Sequence, residues 1–412
     1  MSLMYVTDAR CFILSIPVVG FGKISKEVFS RLFDGVAFVR EYSDYKEAVE
    51  KNHITLKKLK QLAEKGDIPF PLFFAPLSVV KKQILDFEKN LEDKLPDKDE
   101  IVLSARGVLQ IKEIQLIVKD LGKKQEFLKK FVLQNSSENT YIGSIRKLSK
   151  SGLSTELLAL KIREYFGINL QEFRGMSKER GLSYLCGKIE EKGILVSFSS
   201  WNYMPQNLKR EVEISGLCIK DKKFPYIFIN TRDGDEDPII LESAGRQIFT
   251  TCSMLVCIGM GIFAFNTRDE SQKDSQLKKV FSITGELLVP GVELVNKRID
   301  GIESLKKVSS EFKVTPSMLL VRLRETGLLS EDVVLYYREL LSFELSEKKT
   351  TPKNQIHPVK GYAKYNGERL SREIVGAYRV GVISPDQARN ILFRRGKKMN
   401  RAIFQEYIGK FS

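Results

Sequence analysis

Ser253 and Cys257 lie four residues apart in the run GRQIFTTCSMLVCI (245–258). On a helix that spacing puts two side chains on one face, one turn apart. A zinc-peptidase helix of the form His-Glu-x-x-His depends on it, because two imidazoles must reach one metal ion while the glutamate beside the first acts as general base. Here Ser253, Met254 and Cys257 stand in those three places. Serine is a poor zinc ligand, methionine is no base, and only Cys257 has ligand chemistry, as a thiolate. Cys252 is no help to it, being five residues away and about 140° round the helix.

The 2 histidines of the chain, His53 and His357, are too far apart in sequence to build such a motif elsewhere. A nucleophilic Cys257 would need a neighbouring base, and both histidines fall in segments that read as a helix start or a linker. A small buried core cysteine is therefore the plainer reading of Cys257. RDGDED (232–237) is acidic but lacks the spacing and glycine position of a calcium loop, so it reads as a solvated loop.

These positions need an element to carry them. Ile248, Leu255, Ile258 and Ile262 fall near one side of a helix, and the uncharged stretch from Ile248 to Phe265 reads as a buried core helix followed by a turn or strand. Three short β-type runs precede it: GILVSFSS (193–200), SGLCIKD (215–221) and PYIFIN (225–230). The helical QLKKVFSITGELLVP (276–290) follows.

Upstream, CFILSIPVVGF (11–21) reads as a buried strand, since Asp8 precedes it and no A-x-A cleavage site follows. ISKEVFSRLF (24–33) has helical periodicity, and a degenerate helix-turn-helix is a candidate within residues 1–88. Ile54 to Lys65 predicts a helix capped by Thr55. KNLEDKLPDKDE (89–100) reads as a linker or helix end, and Ile101 to Val132, Ile145 to Phe166 and Met176 to Lys192 read as helices. Downstream, Pro316 and Gly327 bracket the second of two helices joined by KVT (313–315), a helix-turn-helix-like pair. Arg369 onward is a helical module carrying the basic FRRGKKMNR (393–401).

The expected fold is α+β, mostly helical and multi-domain. Its expected divisions are 1–88, a helical region 89–192, a central unit 193–300, a helical extension 301–345, and a linker with a basic module at 346–412.

Composition sets the outer limits. With 412 residues and 42% apolar content the chain can bury cores for roughly two to four domains. The 67 basic and 52 acidic residues leave a net charge of +15, which suits nucleic acid or acidic partners. The 5 cysteines include no C-x-x-C pair, which suggests reduced thiols and a cytoplasmic protein without a membrane span.

The run FPYIFINTRDGDEDPIILESAGRQIFTTCSMLV (224–256) resembles the ImmA/IrrE-type metallopeptidase domain, in which a strand leads through a loop to Arg-x-x-Phe-Thr-x-x-His-Glu-x-x-His. Arg246, Phe249 and Thr250 stand where that pattern puts them, while its two histidines and glutamate map onto Ser253, Cys257 and Met254. GELLVP (285–290) matches the ending that follows the family's third, acidic ligand, and counting back puts that ligand at about Leu277. Weaker likeness extends over ITLKKLKQLAEKGDIPFPLFFAP, FKVTPSMLLVRLRETGLL and YNGERLSREIVGAYRVGVISPDQARNIL, so that it covers most of residues 54–395.

The resemblance implies a zincin-like central unit whose metal triad is absent, hence no zinc and no other cofactor. It implies a pseudo-peptidase that binds a repressor- or antitoxin-like protein, in mobile-element, toxin-antitoxin or phage-defence control. Arg246, Phe249 and Glu286 are then the expected partner-binding groove. An alternative is a DNA-binding regulator using Arg322, Arg324, Arg394, Arg395, Lys397 and Lys398. A second alternative is a hydrolase with a non-zinc mechanism.

Overall fold

CFILSIPVVGF (11–21), expected as one strand, holds β1 (Cys11–Ile16) and the start of a second strand at Gly20 in the computed structural model of the chain. The structure describes residues 11–16, 20–34, 36–94, 105–208, 214–231, 243–263, 265–267, 275–346, 356–393 and 400–411. β1 pairs antiparallel with β2 (Gly20–Ser25) and parallel with β3 (His53–Thr55), giving the order β2-β1-β3. Between them come α1 (Lys26–Asp34) and α2 (Ser43–Lys51).

α3 (Leu56–Lys65) starts where the sequence predicts, because Thr55 Oγ1 accepts the Lys58 N–H at 3.2 Å and so satisfies one free helix donor. α4 (Leu77–Lys94) follows a 3-10 turn at Phe70–Phe74. The core of this part is aromatic, with Phe29 at 4.6 Å from Phe12 and 5.0 Å from Phe33, centroid to centroid. Residues Met1–Lys94 and Leu103–Asp120 form one compact unit. α2 and α3 are separated by a strand that pairs with β1, so the local pattern is a mixed sheet-and-helix core.

The second unit comprises Leu95–Val102 and Leu121–Ser412. α5 (Ala105–Phe127) ends in a π-helical turn, Leu128–Val132. The stretch expected as one helix from Ile145 to Phe166 is two, α6 (Ser144–Lys150) and α7 (Thr155–Phe166). Gly152, at φ +84, breaks the spiral, and Ser154 caps the restart by accepting the Leu157 N–H. α8 (Leu170–Gly175) and α9 (Lys178–Glu191) are started likewise by Asn169 and Ser177.

The three expected strands are β4 (Leu195–Phe198), β5 (Ile214–Ile219) and β6 (Tyr226–Ile229), and β7 (Phe265–Thr267) joins them. The sheet order is β4-β6-β5-β7, with β4 and β6 parallel and the other pairs antiparallel. Across it packs α10 (Ala244–Met260), capped by Ser243 and closed by Gly261 at φ +66. Gly216 of β5 lets this helix come close, for a Cβ there would lie 2.8 Å from Thr250 Cγ2.

The remaining helices are α11 (Ser275–Leu288), α12 (Gly291–Leu294), α13 (Ile302–Glu311), α14 (Pro316–Glu325) and α15 (Glu331–Ser346). The C-terminal module is α16 (Pro358–Asn366), α17 (Glu368–Arg379), α18 (Pro385–Phe393) and α19 (Arg401–Lys410). The chain is thus mostly helical α+β, in two compact units. Among the described residues, no helix is long and apolar enough to cross a membrane.

Candidate functional site

α10 is apolar on nearly every side, with every residue from Thr250 to Met260 buried, as a helix driven through the centre of a core must be. Ile248, Leu255, Ile258 and, just past the helix, Ile262 are all buried in the main cluster of this unit.

The three positions that would carry peptidase chemistry are sealed. Ser253 is 0% exposed, and its hydroxyl donates to the Phe249 carbonyl one turn back at 2.9 Å. That bond uses the hydroxyl within its own helix. Met254 fills core space, while its carbonyl accepts the Cys218 thiol at 3.3 Å. Cys257 is buried, and burial pushes its thiol up to about 12; Cys252 is pushed up to about 12 for the same reason. Only the thiolate binds metal or attacks carbon, and at neutral pH it is then on the order of 10⁻⁵ of either thiol.

Tyr141 closes the flank of the helix. Its ring is fully buried against Phe166 at 4.7 Å, and a Cβ on Gly259 would sit 2.7 Å from its Oη. Glycine at 259 is what admits the tyrosine.

This donor set does not fit a zinc ion. One ligand place is a hydrogen-bonded serine, the second a thiol held protonated, and Leu277, at the place inferred for the acidic ligand, has no donor atom. Among the described residues, no group of three His, Cys, Asp or Glu side chains is placed to hold a metal. The histidines are engaged elsewhere: His53 Nε2 is 3.0 Å from Ser15 Oγ, and the half-exposed His357 is 3.6 Å from Glu406.

Of the expected groove residues, Arg246 and Phe249 are partly exposed on the first two turns of α10. Phe249 stacks on Phe281 of α11, ring centroids 6.0 Å apart and planes 27° apart. Phe281 is also partly exposed; Leu277 lies one turn before it, and Lys278 and Lys279 are exposed beside it. The sequence reading missed Phe281, although its i, i+4 relation to Leu277 was a readable signal.

Glu286 does not belong to that groove. It is 4% exposed, and its carboxylate accepts the Gly291 N–H at 3.1 and 3.2 Å and pairs with the Arg322 guanidinium. Arg322 is equally buried, at 5%. Its Nη1 donates to Glu325 at 2.9 Å and its Nε to the Val289 carbonyl at 3.4 Å. Gly285 makes the room, because a Cβ there would collide with the Arg322 side chain. Arg163 completes the joint by donating to the Glu286 and Leu287 carbonyls at 3.1 and 3.2 Å. GELLVP is thus a structural joint between α11, α12 and α14.

Arg322 is therefore withdrawn from the expected phosphate contacts, since a buried, paired guanidinium cannot reach a DNA backbone. α14 buries Met318, Leu319, Leu320 and Leu323 on its inner side. Arg324 is exposed but lies 3.1 and 3.3 Å from the Glu331 carboxylate oxygens. Arg394, Arg395, Lys397 and Lys398 lie outside the described residues, as does RDGDED.

No family model, curated protein or solved structure matches this chain.

Proposed function

We propose that the chain is a binding module with the frame of a zincin-like peptidase, one that holds a protein partner and does not cut it. The observation that carries this reading is the contrast along one helix. The Ser253, Met254 and Cys257 places are closed by packing, whereas Phe249, one turn earlier, is partly exposed and stacked on Phe281. Exposed aromatic anchors with cations beside them are a common basis for protein recognition. Arg246 and Lys278 supply such cations at this ridge, and the surplus of +15 favours an acidic partner.

The resemblance to ImmA/IrrE-type proteins supplies the kind of partner, a repressor- or antitoxin-like protein, and a regulatory setting in the cytoplasm. Affinity capture from native lysate, with Phe281→Glu as the matched control, identifies the partner. Titration of the purified pair, followed by gel analysis of the incubated mixture, then tests the reading. Binding lost in Phe281→Glu, with the partner still full length, is the expected result; a cleaved partner, or binding indifferent to the substitution, overturns it.

A second reading, DNA binding, rests on the charge of +15 and the basic cluster around residues 393–401. Filter binding across a salt series tests it, since phosphate-driven affinity must fall steeply as salt rises.

A further inference from the structure

Glu190 ends α9 at a place where a carboxylate is expensive to keep. It is 7% exposed, and its Oε1 has no hydrogen-bond partner. The groups around it come from three elements. From β4 and from the first turn of α17, the main-chain N–H groups of Val196 and Arg369 pull the carboxyl down, though less than burial pushes it up. Gly367, which starts that helix at φ +79, is pressed so close that a Cβ would collide with the Val196 carbonyl and lie 3.2 Å from Glu190 Oε1.

The charges nearby oppose each other, Glu368 raising the carboxyl and Arg369 lowering it. Glu368 is a second carboxylate, and the Arg369 guanidinium donates to the main-chain carbonyl of Glu190, with its Nε 3.8 Å from Glu373. On α9 itself, Lys188 faces Glu191 at 3.6 Å, and Cys186, one turn back, is an uncharged thiol pushed up by burial. Glu190 is thus a buried carboxyl group pressed against the N-terminus of another helix, with Oε1 left without a hydrogen bond.

We propose that this seam is a proton-operated latch, in which α17 and the helices behind it dock firmly on α9 and β4 when Glu190 is protonated and loosen when it ionises. Burial pushes the carboxyl up to about 7, outweighing the opposing pull of the Arg369 and Val196 main-chain N–H groups. Because the docked value lies above the free one, the stabilising contribution is complete below the free value near 4.5 and is lost as pH rises through about 7. Opening of the seam should then rise on the order of 100-fold between pH 5 and pH 8. The working range of the latch therefore lies between about pH 4.5 and about pH 7.

Hydrogen exchange of the full chain, read by mass spectrometry at pH 5.5 and pH 8 and corrected for intrinsic exchange, tests the latch. Peptides from α17 should lose protection at pH 8 in the wild type, α10 peptides should stay protected, and Glu190→Gln should abolish the difference. Unchanged α17 protection in the wild type, or the same pH response in Glu190→Gln, overturns the proposal. Carboxyl carbon-13 NMR of the wild type does not depend on the variant folding. A carboxyl titrating near pH 7 and missing from Glu190→Asp supports the latch, while all glutamates titrating near 4.5 overturns it.

Discussion

Glu286 and Arg322 face each other across the junction of α11 and α14 in an ion pair almost closed to water, the two side chains 5% and 6% exposed. Such a pair adds little over a well-packed apolar pair, but breaking it strands the survivor as an unpaired buried charge. Arg322→Met and Glu286→Leu should each cost about 3–5 kcal/mol in denaturant unfolding of the second unit. The double variant should cost clearly less than the sum. If Arg322 instead served DNA, its loss would leave stability alone and lower the salt slope of DNA binding.

The thiols around α10 give a second measurement. With Cys252 and Cys257 pushed up to about 12 and Cys218 raised as well, all three should resist iodoacetamide at pH 8 in the folded protein. All three should label readily in denaturant, as peptide mass spectrometry would show. Fast native labelling of Cys257 would mean that the helix face is open and would revive a cysteine-based hydrolase.

Gly259 and Tyr141 make a third. A Cβ at 259 would stand 2.6 Å from Ile145 Cγ1 and 2.7 Å from Tyr141 Oη, so Gly259→Ala must push α6 and the preceding Tyr141 outward. Overpacking of this kind costs about 1–3 kcal/mol. Tyr141→Phe/Gly259→Ala should regain part of the loss, because removing the hydroxyl relieves the tightest polar contact. Thermal melts of the wild type, the single variant and the double variant decide it.

These measurements bear on what the sequence could disclose. α3 and α10 were legible because their signals are local: Thr55 reads as a cap for α3, and apolar residues recur at helical spacing in both. The sealed state of Cys257 was legible in part, since a cysteine within an uncharged apolar run reads as a small core residue. The role of Glu286 was not. Its partner Arg322 is 36 residues away, and both are charged types that occur mostly on surfaces. The third strand of the first unit's sheet was hidden for a similar reason, because β3 is three residues long and pairs only with β1.

The Phe249–Phe281 ridge carries the last prediction. Its two rings belong to different helices, and offset aromatic pairs contribute about 0.5–1.5 kcal/mol beyond the area they bury. Truncating either ring should therefore lower stability modestly but cut partner affinity much more, since a central aromatic anchor in an interface is typically worth about 2 kcal/mol or more. Lys278→Glu should act differently. Lys278 is exposed on the first turn of α11, so the reversal should leave the melting temperature nearly unchanged. It should slow association with an acidic partner, with an effect that fades as salt is raised. Surface plasmon resonance with the identified partner at two salt concentrations separates the classes: the phenylalanine variants should raise the dissociation rate at both, and Lys278→Glu should lower the association rate mainly at low salt. If instead both kinds of variant bind as the wild type does, the ridge is ordinary core edge and recognition lies elsewhere on the chain.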